Sequence, residues 1–78
     1  MSMTHADLRE YDRNLWKNWD DAALFKELSA LRKATFDRLF GHIARHSFNN
    51  LVEVLQERGH THQPNIFGDI PLEKMKID

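Results

Sequence analysis

The sequence contains no cysteine and little glycine or proline, and each shortage removes a class of structure or function. Without cysteine, the 78-residue chain can form neither a disulfide framework nor a thiolate zinc site. Its three glycines are scattered, so neither a P-loop nor a dinucleotide-binding fingerprint can form. No stretch approaches the ~18–20 consecutive apolar residues of a membrane span, and the N-terminus carries no signal-sequence pattern. We therefore expect one small cytoplasmic domain without a cofactor.

The chain also lacks an excess of charge of either sign, because its formal net charge is −1. The charges are nevertheless unevenly placed. Residues 1–21 carry three basic and five acidic side chains, residues 26–46 carry five and two, and residues 53–78 carry three and five. A basic middle between acidic ends is self-complementary and favours contacts within the molecule or between copies. This pattern predicts a homodimer in preference to a complex with an external anion.

Two N-cap signals predict where the first two helices begin. The Thr4 hydroxyl can accept from the backbone N–H of Asp7, and Asp20 repeats the capping signal before the next apolar run. Large apolar residues recur at helical spacing along both segments: Leu8, Tyr11, Leu15, Trp16 and Trp19, then Leu24, Phe25, Leu28, Leu31, Phe36, Leu39 and Ile43. We predict an all-α fold, either a helical hairpin or a three-helix bundle.

One charged residue interrupts each apolar stripe, Asp12 in the first and Arg32 in the second. If the first two helices form an antiparallel hairpin turning near Asp20, these side chains lie within about one helical turn, or ~5.4 Å along the axis. We therefore predict a partly buried ion pair between Asp12 and Arg32. Such a pair fixes register more than it adds stability, since desolvation offsets much of the attraction.

The sequence leaves the end of the second helix open. Gly41 weakens the helical pattern by up to ~1 kcal/mol relative to alanine. The run Ser47–Asn50 is poor in helix formers and offers local caps. Residues 21–58 therefore form either one long helix or, as we prefer, two helices joined by a bend near Ser47–Asn50. Gly59 is the expected C-terminal stop in both cases.

The C-terminal segment, residues 60–78, is interrupted by Pro64, Gly68 and Pro71 and should be mostly irregular. Its apolar residues are too many for a free tail: Ile66, Phe67, Ile70, Leu72, Met75 and Ile77. A first helix of ~15 residues can cover only ~15 residues of its neighbour. We predict a helical domain, residues 1–59, with the tail docked on it or on a second subunit.

Five histidines are the residues that most suggest a ligand. His42 and His46 lie four apart on one helix face, and His60 and His62 follow the helix end, so each pair could offer two imidazoles to a metal. No further ligand falls at a motif offset, so local hydrogen bonding or a pH-sensitive interface is favoured for the first pair. A histidine-based metal-binding protein is therefore the third functional alternative, and no metal residues are assigned.

Nucleic-acid binding is the second alternative. The basic residues of the middle segment spread around the helix axis: Lys26, Arg32, Lys33, Arg38 and Arg45. A transcriptional regulator needs basic and amide side chains clustered on the groove-facing side of its recognition helix. An enzyme is not expected, since no serine lies in a nucleophile elbow and a small helical hairpin offers little concavity.

The leading hypothesis is a small regulatory or adaptor protein that inhibits or modulates a larger protein through helix-mediated contacts. Aromatic side chains dominate interface energetics, but Trp16 and Trp19 are better placed for the monomer core. The predicted protein-binding surface consists of Phe40, His42, His46, Phe48 and Arg32. Neither a membrane nor a cofactor is expected as a partner.

Overall fold

The computed structural model describes residues 3–64 and 68–77, and three helices make up most of it. Helix α1 spans His5–Trp16, α2 spans Asp21–Ala34, and α3 spans Gly41–Glu57. The predicted all-α class is confirmed, in its three-helix form. None of the helices in the described ranges combines the length and hydrophobicity required to cross a bilayer.

A short C-terminal segment follows the helices. Strand β1 (His62–Gln63) pairs antiparallel with strand β2 (Ile70–Pro71), and a 3₁₀ turn occupies Leu72–Lys74. The sequence pattern did not predict this two-stranded ladder. The apolar residues Ile66 and Phe67 lie outside the described residues.

Both predicted N-caps are confirmed. The Thr4 hydroxyl accepts from the Asp7 backbone N–H at 3.1 Å, and the Asp7 carboxylate accepts from the Thr4 N–H at 3.1 Å, which completes a capping box. The Asp20 carboxylate accepts from the Ala23 N–H at 2.8 Å. These caps satisfy backbone donors that have no partner within the helix, and they set where α1 and α2 begin.

Helix α3 lies at the centre, and the other two helices pack against it. Helices α3 and α1 run parallel, because their contacts advance in the same direction along both helices, from His5–His46 to Arg13–Glu57. The contacts of α3 with α2 run in opposite directions, as Asp21 meets Arg58 beyond the end of α3. The assumed direct packing of the first two helices is therefore wrong, because each buries its apolar face on α3.

The core forms around one face of α3. Its members are Trp16, Leu24, Leu28, Phe48, Leu51, Val52, Leu55 and Leu72. Trp16 is only 2% exposed, and Trp19 is partly buried against the same cluster, as expected for residues of the monomer core. Burying a side chain of this size stabilises the fold by about 1.5–3 kcal/mol.

The predicted bend near Ser47–Asn50 is wrong, because α3 continues through these residues. Their polar side chains make tertiary contacts. Asn49 donates to the Ile77 carbonyl at 2.6 Å and accepts from the Ile77 N–H at 2.7 Å. The chain instead leaves the helix after Ala34 and begins α3 at Gly41, so the break lies before the predicted bend.

Gly41 is required where the chain re-enters a helix. A Cβ atom built on Gly41 would lie 2.6 Å from the Thr35 carbonyl oxygen, which belongs to the backbone and cannot turn away. We expect Gly41→Ala to lower the free energy of unfolding by about 1–3 kcal/mol in urea denaturation. At an ordinary helical position, replacing glycine with alanine would raise the free energy of unfolding by up to ~1 kcal/mol. The control is Asn14→Ala on the exposed side of α1, which should be neutral or slightly stabilising. A stabilising Gly41→Ala would contradict the close approach.

The predicted ion pair between Asp12 and Arg32 is also wrong. Asp12 is 5% exposed and its carboxylate accepts from the Asn50 side-chain amide at 3.0 Å. The Arg32 guanidinium lies over the Phe48 ring, 5.9 Å from its centroid. Because α1 and α2 both pack on α3, each charged residue meets a residue of α3.

The C-terminal segment is held on α3 by specific contacts. Leu72 is fully buried, and its N–H donates to the Thr61 carbonyl at 2.8 Å. The Lys76 ammonium donates to Glu53 at 3.0 Å, and Arg9 of α1 donates to the other oxygen of the same carboxylate at 3.2 Å. The hydrogen bond from Lys76, and to a smaller extent that from Arg9, holds the pKa of Glu53 below its usual value. Glu53 thus links α1, α3 and the C-terminal segment.

Arg58 ties the end of α3 to the turn between α1 and α2. Its guanidinium donates to the Trp19 carbonyl at 2.7 Å, the Trp16 carbonyl at 3.1 Å and the Asp21 carboxylate at 2.8 Å. His60 contacts the other oxygen of Asp21 at 2.7 Å. Arg58, and then His60, lower the pKa of Asp21.

Candidate protein-binding surface

The turn between α2 and α3 is fixed by its own hydrogen bonds. The Asp37 carboxylate accepts from the backbone N–H groups of Leu39 at 2.8 Å and Phe40 at 2.9 Å. The hydrogen bond from Phe40, and to a smaller extent that from Leu39, lowers the pKa of Asp37. The Thr35 hydroxyl donates to the Arg32 carbonyl at 2.6 Å and closes α2. These hydrogen bonds hold the backbone of the turn in place.

Large apolar side chains project into solvent from this turn and from the first turn of α3. Phe36 is 80% exposed, Leu39 76%, Phe40 63% and Ile43 45%. We call these four residues the apolar corner. Single exposed apolar residues are common on protein surfaces, but several large ones together mark interaction sites.

The five residues predicted for protein binding separate in the structure. Phe40 belongs to the apolar corner, and His42 and Arg32 are exposed beside it. His46 is half-buried. Phe48 is fully buried, so its assignment to a binding surface is wrong. The reason is that α3 is continuous, which turns Phe48 towards the core instead of outward after a bend.

Four of the five histidines contact other side chains in the described part of the chain. The His46 ring lies against that of His5 in a tilted arrangement with centroids 3.9 Å apart, joining α3 to the start of α1. Desolvation, and then the charges of His5, Arg45 and His42, lower the pKa of His46. His60 contacts Asp21, and His62 contacts Thr61. No group of three or more His, Asp or Glu side chains within 3–64 and 68–77 is arranged to hold a metal ion.

Basic side chains surround the apolar corner. Lys33 and Arg38 are exposed on either side of Phe36, and Arg32 lies one residue before Lys33. A hollow of about 400 Å³ beside the turn is lined by Arg32, Arg45 and His42, among others. Asp37 is the one acidic residue between positions 32 and 45, and backbone donors already occupy one oxygen of its carboxylate. The rim of the corner, defined by Arg32, Lys33 and Arg38, therefore carries more basic than acidic side chains.

Sequence reasoning missed Phe36 and Leu39 as surface residues. Both fit the apolar period of the second helix, and a helix through residue 43 would have placed them on its buried stripe. Asp37 was the available signal. Asp side chains favour turns because they accept from backbone N–H groups two or three residues further on, as Asp37 does here.

Comparison of this chain with family models, curated proteins and solved structures gave no match. The functional proposal therefore depends on the geometry of the surface.

Proposed function

We propose that this chain is a non-enzymatic regulatory or adaptor protein that binds another protein through the apolar corner. One observation carries the proposal: Phe36, Leu39 and Phe40, each more than 60% exposed, project from a turn that Asp37 holds in place. Exposed apolar groups add little to the stability of the fold, while holding their backbone in place reduces the entropy lost when a partner binds.

The corner is large enough to anchor a complex. Burying one large apolar side chain contributes about 1.5–3 kcal/mol, and a few central residues carry most of the binding energy in protein interfaces. Two aromatic anchors within five residues match that pattern. Because the corner projects into solvent, the partner that suits it has an apolar groove.

The partner proposed here is a different protein. In a symmetric dimer formed through the corner, the same surface of each copy meets the other, so two basic rims would face each other. Homodimerisation stays a prediction of the charge pattern, and it would have to use another surface.

The test compares two double variants of the full chain. Phe36→Ser with Phe40→Ser removes the anchors of the corner. Tyr11→Ser with Leu15→Ser is the matched control, since these side chains are 59% and 47% exposed on α1. The free energy of unfolding of both variants should lie within roughly 0.5 kcal/mol of that of the parent, as is usual for surface substitutions.

The readout is affinity for the partner captured with the parent chain from native extract. We expect the corner variant to bind at least 100-fold more weakly, because two anchors worth about 2 kcal/mol each are lost. The control should bind like the parent. Equal loss in both variants, or unchanged binding by the corner variant, would contradict the proposal.

A further inference from the structure

A groove separates α2 from the C-terminal segment, close to the apolar corner. Its volume is about 600 Å³, within the roughly 300–1,000 Å³ of typical binding clefts. The side chains of Met75, Ile77 and Ile70 give it an apolar lining. Gln63 donates to Ser29 at 3.0 Å and joins the two walls at one side.

All the charged side chains that line this groove in the described residues are basic. They are Arg32 and Lys33 from α2, and Lys74 and Lys76 from the C-terminal segment. Lys76 is paired with Glu53, and Arg32 lies over the Phe48 ring. Within residues 3–64 and 68–77, neither Lys33 nor Lys74 pairs with a carboxylate. Like charges gathered around one cleft create a potential that attracts an anionic ligand.

The fold creates this cluster, because its members are far apart in sequence. A hydrogen bond from Asn49 to the Ile77 carbonyl and one from Lys76 to the Glu53 carboxylate hold the C-terminal segment along α3, which brings its lysines beside the basic end of α2. Arg32 and Ile77 also line the smaller hollow that reaches Phe36. The groove and the apolar corner therefore form one continuous surface.

We propose that this basic groove binds an acidic peptide segment of the protein that docks on the apolar corner. The inference rests on the proposed function. Carboxylates on one face of the segment would pair with Lys33 and Lys74, while apolar side chains on its other face would lie on Met75 and Ile77. An extended peptide of alternating acidic and apolar residues has these two faces, since successive side chains point in opposite directions.

The lining argues for a peptide against single-stranded nucleic acid. Nucleic-acid grooves combine basic residues with aromatic rings on which bases stack. The described lining of this groove contains aliphatic side chains and Met75, and no aromatic ring. It is suited to an aliphatic side chain placed between carboxylates.

The experiment measures binding of a short fluorescent peptide of alternating Glu and Leu to the full-length chain by fluorescence anisotropy. Lys33→Glu with Lys74→Glu reverses the two unpaired lysines, and Lys17→Glu with Lys26→Glu makes the same charge change at exposed positions elsewhere. We expect the groove variant to bind about tenfold or more weakly than the control. The affinity of the parent chain for the peptide should be lower at an ionic strength where the Debye length is about 8 Å than at one where it is about 30 Å.

The two proposals fail separately. The variant with serine at Phe36 and Phe40 should keep its affinity for the peptide while it loses the natural partner. If the groove variant binds the peptide as the control does, the groove proposal is overturned and the corner proposal stands. If mixed-sequence single-stranded DNA of equal charge binds more tightly than the peptide, the proposal is overturned in favour of nucleic acid as the ligand of the groove. If the parent chain self-associates and the groove variant does not, the proposal is overturned in favour of a second copy of this chain.

Discussion

Replacing Phe48 with alanine should lower the free energy of unfolding by about 3–5 kcal/mol, the cost of removing a buried phenyl ring. Phe48 is fully buried within the cluster that joins all three helices. A domain of this length has a total stability of roughly 4–12 kcal/mol. Much or all of that would be lost, and urea denaturation followed by circular dichroism measures the change.

Phe40→Ala is the matched control, because it removes the same ring from a position that is 63% exposed. Its free energy of unfolding should change by no more than roughly 0.5 kcal/mol. Similar losses for the two variants would mean that Phe48 is not in the core or that Phe40 is not at the surface.

The second large effect is expected at Arg58. Its substitution by methionine removes every hydrogen bond that the guanidinium donates to the α1–α2 turn, including those to the carbonyls of Trp16 and Trp19. Losing hydrogen bonds of a charged group costs about 1.5–3 kcal/mol, and we expect a loss in free energy of unfolding of that order. Arg58→Lys should recover only part of it, since an ammonium cannot reach several acceptors in a fork.

The pH dependence of the Arg58 variants provides a second readout. The folded-state pKa of Asp21 lies below its usual 3.8 because of Arg58 and His60. Its contribution to stability is therefore present above the unfolded pKa and is lost as the pH falls through the folded value. In Arg58→Met this part of the acid-induced loss should shrink. Arg38→Met, at an exposed position, should match the parent in stability and acid response. An Arg58→Met variant indistinguishable from it would contradict the described contacts.

The beginnings of the first two helices could be predicted because their signals are local. Thr4 and Asp20 each cap backbone groups three residues away, and the apolar period that follows is visible in the sequence. The break before α3 depends instead on a close approach between Gly41 and the Thr35 carbonyl. The run Ser47–Asn50 was misread for a similar reason. Its residue types are typical of helix caps, but here Asn49 binds the C-terminal segment at Ile77.

Only part of the candidate site could be found in the same way. Phe40, His42 and Arg32 were expected at a surface, and the structure places them there. Phe48 was assigned to the surface because a bend was expected beside it, and Phe36 was assigned to a buried stripe because the turn after Ala34 was not expected. The groove lysines Lys74 and Lys76 could not be associated with α2 from spacing, since their position depends on how the C-terminal segment packs.

Solvent accessibility measured by NMR on the full-length chain with a soluble paramagnetic probe tests the apolar corner most directly. Resonances of Phe36, Leu39 and Phe40 should broaden strongly at both low and high protein concentration, while those of Phe48 stay sharp. Protection of Phe36 and Phe40 comparable to that of Phe48 would show that the corner is covered by its own chain or by a second copy. That result would contradict a surface kept open for another protein.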